Sequence, residues 1–121
     1  MRNKYSVIIL LSIAISSTAY AEKWYEGGNL NDKDNIAWQE ADEANRLATA
    51  ASSIAGLYTG KALKPEMSAS ITSMDAMKPY AIELMKCINT ATEEGFDGIS
   101  VKYQDLALGC VALMKLSLIH I

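Results

Sequence analysis

Residues 34–58 read DNIAWQEADEANRLATAASSIAGLY, and the spacing of their alanines decides the fold. Ala37, Ala41, Ala44, Ala48, Ala51, Ala55 and Tyr58 recur at alternating steps of four and three, the period that lines up one face of an α-helix. Leu47 and Ile54 widen the stripe, while Gln39, Glu40, Asp42, Glu43, Asn45 and Arg46 mostly cover the other faces. The pattern predicts one long helix from about Asp34 to Tyr58, ended by Gly60. Small residues on its inner face would let a neighbouring helix approach closely.

Downstream, Lys64-Pro65-Glu66-Met67 predicts a short helix, with Pro65 suited to a first turn. Thr72, three residues before Asp75, has the form of a cap. A second long helix is expected from near Ser73 or from Pro79 to about Thr92, with Pro79 either opening it or kinking it. Its inner stripe is Met77, Ala81, Leu84, Ile88 and Ala91, with Met85 and Cys87 at the edges, and Glu93-Glu94-Gly95 ends it. After an Asp97-Gly98 turn, a third helix is expected from about Val101 to Lys115 or beyond. Tyr103, Leu106, Cys110, Leu113 and Met114 share its inner face, beside Ala107 and Val111. Strand-period alternation persists nowhere. The fold expected is all-α: a small antiparallel bundle of three main helices plus a short one. Residues 22–35 form an irregular N-terminal arm, and residues 22–115 make up one domain.

Upstream, the first residues follow a signal-peptide plan. Arg2 and Lys4 precede an apolar run from Val7 to Ile15, shorter than the roughly 20 apolar residues a spanning helix needs. Ala19-Tyr20-Ala21 fits the small-x-small cleavage rule, so residues 1–21 are expected to be removed and the mature chain to begin at Glu22. Removal leaves nine basic against 14 acidic residues, a net charge of −5. That charge gives no electrostatic case for nucleic acid or anionic membrane. The expected location is the periplasm, or outside the cell. At the other end, Leu116-Ser117-Leu118-Ile119-His120-Ile121 reverse-translates to the transposase mosaic-end adapter of sequencing libraries. Residues 116–121 are therefore read as an adapter-derived ending, and His120, the sole histidine, is given no role.

In an oxidising compartment two cysteines usually pair. Cys87 and Cys110 lie on or beside the apolar stripes of helices joined by a turn, so a structural disulfide is expected to staple the last two helices. The alternatives are a reactive thiol pair or half a metal site, but there is no C-x-x-C motif to favour them.

Other chemistry lacks its parts. Ser52, Ser53, Ser68, Ser70 and Ser73 have no histidine to activate them. Asp42-Glu43 and Glu93-Glu94 fall on faces or ends where solvated charge is usual, and Gly27-Gly28 has no phosphate-loop context. The chain is read as non-enzymatic, with no cofactor. Met74 and Met77, one turn apart, carry thioethers of the kind that bind Cu(I); the plainer reading is that they fill the core. Trp24 and Tyr25 are either a partner-contact patch or rings docked over the bundle.

The stretch Ile71-Thr72-Ser73-Met74-Asp75-Ala76-Met77-Lys78-Pro79-Tyr80-Ala81-Ile82-Glu83-Leu84-Met85-Lys86-Cys87 resembles the C-terminal half of the periplasmic HdeA acid-stress chaperones. There, a valine/proline segment leads into a helix ending near a disulfide cysteine. The resemblance covers under a fifth of the chain. That family pairs its cysteine with an upstream one, whereas Cys110 lies downstream. The plan of signal peptide, small helical bundle and helix-stapling disulfide is also similar to Tai-type immunity proteins, which neutralise periplasmic toxins. Together these readings lead to a non-catalytic periplasmic protein acting by protein–protein contact, as an inhibitor, immunity factor or stress chaperone. The alternative is a periplasmic carrier of a metal or small ligand using its methionines.

Overall fold

The computed structural model describes residues 23–114. The expected signal peptide with its cleavage residues Ala19, Ala21 and Glu22, and the ending at 116–121, lie outside the described residues. Within them the chain forms α1 (Asn35–Glu40), α2 (Glu43–Thr59), α3 (Pro65–Ser70), a 3-10 turn (Asp75–Met77), α4 (Lys78–Glu93) and α5 (Tyr103–Leu113). The helices pack on one another, and no strand occurs among the described residues. The all-α bundle expected from the sequence is the fold observed.

The first long helix is two helices. Asp34 caps α1 by accepting from the Ala37 amide, and Asp42 caps α2 by accepting from the Asn45 amide, the usual work of an N-terminal aspartate. Between them Ala41 is extended. Arg46, one turn into α2, closes the break: Nε donates to the Trp38 carbonyl and Nη2 to the Gln39 carbonyl, each at 2.8 Å. The Trp38 carbonyl also accepts from the Ala41 amide, while that of Gln39 is among the terminal carbonyls a helix leaves without an intrahelical partner. The break changes which residues turn inward. Trp38 becomes fully buried, while Ala44 and Tyr58, expected on the inner stripe, are exposed. Ala48 and Ala51 keep their buried places.

Ala50 is buried in the core, and Thr49 is buried where the N-terminal arm lies across α2. The Leu30 amide donates to Thr49 Oγ1 at 3.3 Å, and Asn29 and Asn45 bond each other twice. Gly28 permits this approach, since a Cβ there would stand 2.5 Å from the Thr49 nitrogen. At the far end of α2 the left-handed residue is Lys61 (φ 57°), one place beyond Gly60. The Ala62 amide donates to the Leu57 carbonyl and the Lys61 amide to that of Tyr58, a Schellman ending.

Pro79 sits in the first turn of α4 and opens the helix without kinking it. The cap before it is Ser73, whose Oγ accepts from the Ala76 amide at 3.2 Å; the expected pairing of Thr72 with Asp75 is not the one formed. Ala81, Leu84, Met85 and Ile88 are buried, and Thr92 takes the inner place expected of Ala91. The connection to α5 turns at Asp97 (φ 50°) and Gly98 (φ 78°). The Ile99 amide bonds the Phe96 carbonyl, as in a type I′ turn.

The start of α5 is tied to the start of α1. Asp34 and Lys102 form an antiparallel bridge, in which the Asn35 amide donates to Val101 and the Tyr103 amide to Lys33. The buried Asn35 side chain accepts from the Val101 amide and donates to the Ile99 carbonyl. Tyr103, Ala107, Cys110 and Val111 form the buried face of α5. Leu113, expected among them, is 79% exposed; at 3.6 residues per turn it falls roughly 100° round from the middle of that face. Cys87 and Cys110 are joined as a disulfide with Cα atoms 5.9 Å apart, inside the range such a bond needs. It staples α4 to α5.

Candidate functional site

An apolar recess lies where α2 meets α5. Ser53, Gly56 and Leu57 line one wall, Tyr103, Ala107, Leu108 and Val111 the other, with Asn31 and Gln104 at one end, around about 290 Å³. Gly56 shapes it. A glycine inside a helix costs about 1 kcal/mol relative to alanine, and a Cβ here would meet no atom within 4 Å. Packing therefore does not require the glycine; its effect is to leave the groove open.

Behind the groove stands a polar and aromatic cluster. Trp38 stacks on Tyr103 with centroids 5.5 Å apart. The Trp38 Nε1–H donates to Asn89 Oδ1 at 2.9 Å, and Arg46 Nη1 donates to the same oxygen at 3.2 Å. The Tyr103 and Ser53 hydroxyls bond at 2.7 Å. Burial pushes the Tyr103 phenol up to about 12, with Ser53 pulling slightly the other way. The phenol keeps its proton at neutral pH and offers Ser53 no general base.

Trp24 and Tyr25 are half-buried and packed on the hydrophobic core. Trp24 Nε1 donates to Asp75 Oδ1 at 2.9 Å, its ring meets that of Tyr25 edge-on, and the Lys78 ammonium lies 5.4 Å from its centroid. The rings are docked over the bundle, anchoring the arm. Beside them Lys23, Glu26, Gly27, Asp42, Ala44 and Asn45 complete a more polar recess of about 360 Å³.

Met77 is buried in the core and Met74 packs against it, so the two thioethers occupy places where gap-fillers sit. No group of three or more His, Cys, Asp or Glu side chains among the described residues is arranged to hold a metal ion. Asp34 carries two duties at once. The Ala37 amide and then the Ser100 hydroxyl, at 2.7 Å, hold its carboxyl below the usual carboxylate range.

The structure joins Cys87 and Cys110, as their helical phase and the turn between them predict. Trp38, Arg46, Asn89 and the open side of Gly56 belong to no motif in the sequence. Two signals stood in the sequence: Asp42 before an alanine-rich run, as a cap, and a glycine inside an otherwise regular helix. The chain matches no protein-family model, no curated protein and no solved structure.

Proposed function

We propose that this is a non-catalytic protein of an oxidising compartment outside the cytoplasm, the periplasm, that acts by contact with another protein as an inhibitor, immunity factor or stress chaperone. The observation that carries the reading is α5. Among its 11 residues only Gln104 and Asp105, in the first turn, carry a plainly polar side chain, and Leu108 and Leu113 are 41% and 79% exposed. A helix apolar on all sides belongs in an interior, so the uncovered sides of α5 suit contact with another surface. Ile99, in the preceding connection, is 64% exposed. The disulfide and the signal-like leader support the compartment. No helix among the described residues is long and apolar enough to cross a membrane. A carrier using Met74 and Met77 would need Met77 to leave the core.

Photocrosslinking in intact cells tests the reading. A photoreactive residue at Leu113 should trap a discrete second protein, and one at Lys86, exposed on α4, should not. One adduct that persists at neutral pH fits an inhibitor; a family of adducts appearing on acidification fits a chaperone. Equal yields from both positions would remove the basis of the proposal.

A further inference from the structure

A second cavity adjoins the α2–α5 groove. The groove and a recess of about 180 Å³ share Asn31 and Gln104, and the recess is completed by Asp32, Lys33 and Lys102. The Asp34–Lys102 bridge brings the two lysine positions together from opposite ends of the domain. Two lysines against one aspartate leave a single positive charge, matched to one carboxylate better than to a doubly charged phosphate. The recess opens at the first turn of α5. The groove leading away from it is lined by Gly56, Leu57, Ala107, Leu108 and Val111. An apolar groove beside a polar, cationic recess suits an amphipathic small molecule.

We propose that this composite site binds an unbranched aliphatic chain carrying one terminal carboxylate. The chain lies over Gly56 between α2 and α5, and the carboxylate sits between Lys33 and Lys102. The site goes beyond the protein-contact reading and does not depend on it.

Decanoate is the probe. Titrated into the purified full chain and followed by amide chemical shifts and calorimetry, it should perturb residues 53–57 and 103–111 together with Lys33. Decan-1-ol, with the same chain and no charge, should bind more weakly. Gly56→Leu fills the groove and should weaken decanoate by about tenfold or more. Gly109→Leu is the matched control: a Cβ there also meets nothing within 4 Å, yet Gly109 does not line the groove, so affinity should hold. Lys33→Gln combined with Lys102→Gln should bring decanoate down to the level of the alcohol. Shifts that map elsewhere or never appear in the unaltered protein would overturn the site. So would unchanged binding to a folded Gly56→Leu, and equal binding of acid and alcohol would overturn the carboxylate assignment.

Discussion

Truncating Trp38 to alanine removes a side chain with no exposed surface, stacked on Tyr103 and overlain by the Arg46 guanidinium at 5.8 Å. Replacing a buried aromatic of this size by alanine costs about 3–5 kcal/mol. Two features keep the cost from rising further. Asn89 Oδ1 still accepts from Arg46 once the indole is gone, so no buried oxygen is orphaned. The Arg46 bonds to residues 38 and 39 go to main-chain carbonyls, which survive the substitution. The expected loss is therefore about 4 kcal/mol, most of the stability a small domain at the low end of the usual range possesses. Trp38→Phe keeps a ring against Tyr103 and gives up the bond to Asn89, for a loss of about 1–2 kcal/mol. Urea unfolding followed by helical circular dichroism measures both, and Trp24, the only other tryptophan, supplies an independent fluorescence signal. An alanine variant within about 1 kcal/mol of the parent, or a phenylalanine variant as damaged as the alanine one, would refute the placement of this indole at the centre of the core.

Breaking the Cys87–Cys110 bond, which closes a separation of 23 residues, should cost about 3 kcal/mol by chain entropy. The melting temperature should fall by roughly 12–24 °C with the helical signal retained, and a calorimetric shift of only a few degrees would speak against the staple. Tyr103, raised to about 12 when folded, contributes stability that is intact below its ordinary value near 10 and lost as pH climbs toward 12. The total is about 3 kcal/mol; Tyr103→Phe should flatten that alkaline limb in urea titrations, and parallel limbs for the two proteins would contradict it. Asp34, held below the ordinary carboxylate value, works in the opposite sense. Its contribution is complete above that value and disappears as pH falls through the depressed one. Asp34→Asn, which can still cap α1, should lower the urea midpoint at neutral pH and shallow the acid limb, an outcome absent if the carboxylate's charge is idle.

The punctuation of this fold was legible because it is local chemistry. Pro65 and Pro79 fix first turns, and Gly95 and Asp97-Gly98 supply left-handed backbone wherever they stand. The cysteine pairing was legible because compartment, helical phase and a tight turn all bear on it. The break at Ala41 was harder to see. Glu40, Ala41 and Glu43 are good helix formers, and what stabilises the interruption is Arg46 reaching back while Asn89 arrives from another helix. Trp38 turns inward only once that break exists. Leu113 reads as core because α5 is apolar on every side, so its sequence has no strong phase to say which side is covered. The groove exists only when α2 and α5 meet, and Gly56 alone gives no hint of the wall opposite.

The hydrogen bonds between Asn35 and the 99–101 segment join positions 64 and 66 residues apart, and this has a consequence in time. A chain made from its N-terminus presents α1 long before the segment that completes it exists. Until then the Asn35 amide group has none of these partners and the Trp38 indole lacks the Tyr103 ring it stacks on. The domain cannot mature helix by helix; it closes late, in a step governed by bringing two distant ends together. The α4–α5 hairpin is a local loop by comparison and can oxidise before that closure or after it. Oxidation first would deliver a pre-formed platform onto which α1 docks. Closure first would bury Cys110, 4% exposed in the finished fold, out of an oxidant's reach. The order of these two events decides whether newly made chains end up stapled.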